Sequence, residues 1–257
     1  SRVNDTGEET TTGAGDDYVH LEDGVANEYK INDGIIVFFK ETLTGDPLPA
    51  SNPDANATFE SAYTLTLGQP QDDPTDQVTE RVVTVSEAPM VNTANNEALY
   101  ALVILNVPST VTVDANTHGL SINNTALTST STLAAFKTAL TNQQLSTYIG
   151  DNKDKFTMLN APLSTVAGSD ALAMSNPAAK TLVPVTVYKT ENEALSNDAA
   201  RIYVERVVAK VTLTGFKDGK IAVKDNNGAY EGDEVALDGW LLNVTNKSTK
   251  LVRDVAG

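Results

Sequence analysis

The sequence predicts an all-β protein, a Greek-key β-sandwich with one small helical insertion. Three observations lead there. Short segments rich in Val, Ile, Leu and aromatic residues recur along the chain, either with a period of two or apolar on both parities. Clusters of Gly, Pro, Asn and Asp separate them, as tight turns require. Helical spacing is convincing in one stretch only, and no repeat of fixed period is present.

Residues 1–28 are rich in Thr, Gly, Asp and Glu with scarcely any apolar residue, and they read as a flexible acidic segment ahead of a single sandwich domain over 29–257. At KINDGIIVFFK the character changes. Ile35, Val37 and Phe39 alternate with Ile36 and Phe38, so both faces of an extended segment are apolar, which predicts a strand covered on both sides. TFESAYTLTL puts Phe59, Tyr63, Leu65 and Leu67 on one parity with Glu60, Thr64 and Thr66 on the other, a half-exposed strand. VTERVVTV reads as the next strand, and ALYALVILNV as a central one apolar on both parities.

TVTVDA could add a short strand before a Ser/Thr/Asn-rich stretch. The helix follows in STLAAFKTALTNQQLSTYIG, where Leu133, Phe136, Leu140 and Leu145 recur at helical spacing and Ser131 or Thr130 is available as the N-cap. Residues 151–179 read as loop. In TLVPVTVYK, Val183, Val185 and Val187 share a parity, while Pro184, which cannot donate to a ladder, predicts an edge strand or a bulge. ARIYVERVVAKVTLTGF is the longest extended segment, and GKIAVK, EVALDGWLLNV and STKLVR close the chain as short strands.

With 257 residues the chain can bury a core without staples. Its 34 acidic against 18 basic residues leave a net charge of -16, a field that repels polyphosphate and anionic head groups, so nucleic acid is excluded as a partner. Cysteine is absent, which removes disulfides, thiolate catalysis and Cys-ligated metal sites. The longest apolar run, over 98–105, falls far short of the roughly 20 residues that cross a bilayer, so no embedded membrane segment is expected.

Catalysis finds few footholds. Only two histidines exist, His20 in the acidic segment and His118 in a TVDANTHG turn; neither has a partner at metal-ligand spacing, and both read as solvated. No nucleophile-elbow, phosphate-loop, zincin or dinucleotide string is present. Asp225-Asn226-Asn227-Gly228 comes nearest to a calcium loop, but Ala229 stands where an oxygen ligand is wanted and turn propensity explains the string better. Trp240 reads as a buried packing residue. Neither an enzymatic activity nor a cofactor is expected. Two binding classes stay open, a structural subunit joined by strand addition and a carbohydrate-binding or adhesin sandwich acting through its loops.

The late segment ARIYVERVVAKVTL resembles the R-x-x-A-K-V strand of the major fimbrial subunits of Bacteroidales, the FimA-like and short-fimbria-like pilins of type V pili. Other segments fit the same family in order. KINDGIIVFFK is similar to its first retained strand, ALYALVILNVP to its central strand, and the helix STLAAFKTAL is followed by KFTMLNAP, similar to the family's F-x-M-x-N. GWLLNVTNKS resembles the short-fimbria branch, and together the matches span most of 30–248.

That resemblance implies a transthyretin-like sandwich, the N-terminal of two such domains, in a lipoprotein that is exported through the periplasm and outer membrane to a fimbrium at the cell surface. It implies cleavage after an arginine, carried here onto Arg2 with Val3 following. It also implies an apolar groove left by the lost strand and filled by a strand from the next subunit. The segments apolar on more than one face are the candidates for its borders: Ile31, Ile35, Val37 and Phe39, or Ile202, Val204 and Val208. The implied partners are neighbouring pilin subunits, accessory tip and anchor proteins, and host surface receptors met by the fibre.

Overall fold

The structure, a computed structural model, describes residues 30–67, 71–72, 79–85, 87–140, 145–149, 155–162, 179–208, 220–223 and 228–236. These fall into two compact units, the second drawn from 208–247. In the first unit the strands are β1 (Gly34–Thr42), β2 (Thr58–Thr64), β3 (Gln71–Asp72), β4 (Thr79–Glu80), β5 (Glu97–Leu105), β6 (Val111–Val113), β7 (Leu120–Ile122), β8 (Thr125–Ala126), β9 (Met158–Asn160), β10 (Val183–Val185) and β11 (Val204–Arg206). The helices are α1 (Pro53–Asn56), α2 (Leu133–Ala139), α3 (Leu145–Ile149) and α4 (Glu191–Ser196). In the second unit β12 (Lys220–Ala222) pairs with β13 (Glu234–Ala236) as an antiparallel ribbon.

The fold is all-β and antiparallel, as the patterning predicts, and the described residues carry four short helices where one is expected. The main sheet runs β11-β9-β5-β1-β2, with β10 also on β5. Its spine is the pairing of β1 with β5, in register from Gly34 opposite Leu105 to Thr42 opposite Glu97. On the other side of β1 lies β2, with a bulge between Phe38 and Phe39. The register sorts the side chains. Ile35, Val37, Phe39, Phe59 and Ala62 face an inner core, while Ile36 and Phe38 face an outer one with Leu99 and Ala101. Apolarity on both parities therefore reports a central strand between two apolar layers.

The inner core is closed by a second layer. Val111, Leu120 and Ile122 of the three-stranded sheet β6-β7-β8 pack on it, with Leu133, Phe136 and Leu140 of the predicted helix and Tyr148 of α3. Helix α2 starts after Thr132, whose side chain makes no cap bond. Ser131 serves the sheet instead, its carbonyl accepting from Phe59 N at 2.7 Å. The β7–β8 turn places Asn123 and Asn124 at φ 51° and 61°, the left-handed pair that a tight hairpin needs.

Three sequence expectations change. The segment over 151–179 reads as loop, yet Met158–Asn160 is a wholly buried strand between β5 and β11. Strand structure in VTERVVTV stops at Glu80, and 81–85 lie beside the sheet without joining it. Of the longest extended segment, residues 200–203 and 207–208 join no strand and Val204–Arg206 is one, while 209–216 lie outside the described residues. Pro184 sits in a short strand on the β5 edge, opposite Tyr100, where a missing N–H is tolerable. The acidic segment 1–28, Trp240 and the strand expected at STKLVR lie outside the described residues.

Candidate functional site

Ile35, Val37 and Phe39 are 4, 0 and 0 % exposed, and β1 is hydrogen-bonded along both edges, to β2 and to β5. An added strand needs an unpaired edge, so β1 is not where one could join, and its three residues are inner-core packing. Ile31 is half-buried just ahead of β1. Ile202 packs against the outer core, Val204 stands opposite Asn160 in the β11–β9 pair, and Val208 opens the second unit. Arg2, Val3 and His20 lie outside the described residues.

The outer face of the main sheet is where polar and apolar features meet. Ile36, Phe38, Leu99 and Ala101 form its floor, and Tyr63, Leu65, Val85, Ala88, Val91, Val185 and Ile202 pack on them. Tyr63 meets the edge of Phe38 at 5.9 Å between ring centres and stacks on His118 at 4.3 Å with 28° between the planes. His118 Nε2 lies 3.5 Å from Glu87 Oε2. A depression of about 150 Å³ is lined by Tyr63, Thr64, Leu65, Thr66, Thr84, Val85 and Glu87.

The turn from Asp114 to Gly119 delivers the imidazole. Asp114 Oδ1 accepts the N–H groups of Asn116 and Thr117 at 2.8 and 2.9 Å, and its carbonyl accepts His118 N at 2.8 Å. These backbone bonds, Thr117 first, hold its carboxyl below the usual range, with His118 adding a smaller pull the same way. His118 itself adopts φ 54°, and its carbonyl accepts Ala62 N at 2.8 Å. The histidine expected to be solvated is thus a fastener between the β6–β7 turn, the edge of β2 and the segment carrying Glu87.

Three buried polar groups join strands of the main sheet to neighbouring segments. Asn106, fully buried at φ 52°, accepts Asn32 N at 2.8 Å and donates to the carbonyls of Lys30 and Phe156, both at 2.9 Å. Asn160 does the same between β9 and β10: it accepts Val103 N at 2.8 Å and donates to the carbonyls of Ala101 and Thr181 at 2.9 and 2.8 Å. The carboxylate of Glu41, 3 % exposed, accepts from Ser51 Oγ at 2.5 Å, Asn52 N at 3.2 Å, Asn56 Nδ2 at 3.3 Å and Tyr100 Oη at 3.4 Å. Burial is the main cause that raises the Tyr100 phenol above its ordinary value, opposed by its bond to Ser51. Sequence reasoning passes over these groups because their partners lie far along the chain.

The arrangement is suited to holding and covering a surface. Among the described residues no three His, Asp or Glu side chains gather as a metal site, and no helix is long and apolar enough to cross a membrane. No protein-family model matches the chain, and no curated protein sequence matches it.

Proposed function

We propose that this chain is a structural subunit of a bacterial cell-surface fimbria, built on a transthyretin-like Greek-key sandwich and joined to its neighbours by donor-strand insertion. Adhesion is then a property of the assembled fibre, and the subunit carries no catalytic residue and needs no cofactor. The observation that carries the reading is the ordered set of segments resembling the Bacteroidales fimbrial subunits. Two of them, KINDGIIVFFK and ALYALVILNVP, coincide with the paired long strands β1 and β5. The antiparallel all-β frame is compatible with strand addition, in which main-chain bonds supply affinity and alternate side chains supply fit.

In this reading the subunit is exported to the outer surface and processed at Arg2–Val3, and the incoming strand runs beside the segment of Ile202, Val204 and Val208 rather than beside β1. The carbohydrate-binding alternative would use the depression beside Tyr63, where threonine hydroxyls and Glu87 offer polar contacts. One face of that ring is already stacked on His118. This favours the structural reading.

The test uses the full chain and a peptide copied from the C-terminal region of the next subunit. Binding should raise the thermal midpoint of the chain, and Val204→Asp should abolish the rise while leaving the circular-dichroism spectrum unchanged. A peptide that never shifts the midpoint would count against strand insertion.

A further inference from the structure

Part of the outer face is covered by a piece of chain that belongs to no sheet. The described residues of 81–91 pair with no strand, and a single turn position at Glu87 is their only secondary structure. They hold to the sheet through side chains three residues apart: Val85, Ala88 and Val91 pack on the outer core, whereas Val82 and Met90 are 69 and 88 % exposed. Its start and finish are both anchored. Glu80 pairs with Gln71 at the start, and beyond the finish Asn92 N donates to Glu97 Oε2 at 2.8 Å before a turn of 3-10 helix, Thr93–Asn95, leads into β5. Among the described residues of 82–91, Glu87 Oε2 lies 3.5 Å from His118 Nε2, with side chains 70 and 31 % exposed, a contact that is an ion pair when the imidazole is protonated.

This differs from the cover of the inner core. The inner core is closed by strands and helices with their own backbone hydrogen bonds, so uncovering it breaks ladders as well as apolar contacts. Lifting this piece of chain gives up, among its described residues, the packing of Val85, Ala88 and Val91 and the exposed Glu87–His118 contact, with no backbone ladder to break. Regions with few buried apolar contacts and no backbone ladder open at free energies well below global unfolding.

We propose that the piece of chain described at residues 82–85 and 87–91 is a strap that opens as a unit while the main sheet stays folded, baring part of the Ile36–Phe38–Leu99 floor, with the Glu87–His118 contact as its fastener. Opening turns a covered sheet face into an apolar surface. The device follows from this chain's own packing and does not depend on the fimbrial reading.

Native-state proteolysis of the unaltered full chain with thermolysin, which cuts before apolar residues, tests it. Cleavage sites are located by mass spectrometry and rates are measured across urea concentrations below the unfolding transition. The expected result is cutting within 82–91 at a rate that depends only weakly on urea, because little surface is exposed on opening. Glu87→Gln, a surface change that leaves the sheet intact, should speed that cutting by roughly two- to fivefold, the size expected for loss of an exposed pair. Absence of cutting within 82–91, or cutting there with the full urea dependence of global unfolding, overturns the strap. Unchanged cutting in the Glu87→Gln chain overturns the fastener.

Discussion

The side-chain oxygen of Asn160 accepts the backbone N–H of Val103 at 2.8 Å, and so stands in for a missing stretch of strand. One edge of β5 is shared by two short strands, β9 at Ile104 and Leu105 and β10 at Leu99 to Ala101. The gap between them would leave buried main-chain groups without partners, and Asn160 fills it by also donating to Ala101 and Thr181. Asn160→Ala should therefore cost roughly 3 kcal/mol, more than one ordinary hydrogen bond, because several main-chain groups lose their partner in a dry site. Urea unfolding checks it, and a loss below about 1 kcal/mol would mean that water replaces the amide.

Glu41 gives a second expectation. Its carboxylate is acceptor-only and faces four donors from the 51–56 segment and Tyr100. Glu41→Gln keeps the shape but turns an N–H₂ toward groups that donate, so a loss of about 1–3 kcal/mol is expected despite the removal of a buried charge. Stability equal to or above the parent would show that desolvation of the carboxylate outweighs its bonds.

Tyr148 supplies the pH dependence. Its side chain is fully buried, it donates to the Leu140 carbonyl at 3.0 Å, and burial pushes its phenol up to about 12. The folded state thus favours the protonated form. Its contribution is whole below the unfolded value near 10 and is lost as pH climbs from there through about 12. Denaturant unfolding at stepped alkaline pH should show a stability loss on the order of 2 kcal/mol across that window, reduced in Tyr148→Phe. An equal alkaline loss in Tyr148→Phe would place the effect elsewhere.

Val37→Asp separates packing from assembly. Val37 is buried in the inner core on a strand paired on both edges, so a carboxylate there has neither solvent nor partner. Loss of the folded spectrum is expected, at a cost of several kcal/mol. A folded Val37→Asp chain that fails only in assembly would return β1 to the rim of a groove.

The parts of this fold visible in sequence are those whose signal is local. Ile35 to Phe39 and Leu99 to Leu105 declare central strands through apolarity on both parities, and Leu133, Phe136 and Leu140 declare their helix through spacing. Met158–Asn160 is invisible because three residues cannot show a period and their strandness comes from Leu105 and Val204, far away in the chain. Asn123-Asn124 carried a readable hairpin signal inside a polar stretch. VTERVVTV has the period of a strand, yet among its described side chains Val85 packs on the outer core, Val82 is exposed, and its backbone from 81 onward joins no sheet. The Tyr63–His118–Glu87 contact joins three separate segments, which no spacing rule connects.

The proposal that this chain builds a surface fibre is tested most directly by immunogold electron microscopy of fibres sheared from the cells that produce it, with antibody raised against the folded chain. The account predicts regular labelling along the fibre length, together with peptides of this chain as a main component of the sheared fraction by mass spectrometry. Fibres that carry no label while the chain is found only in soluble or cell-interior fractions would contradict it.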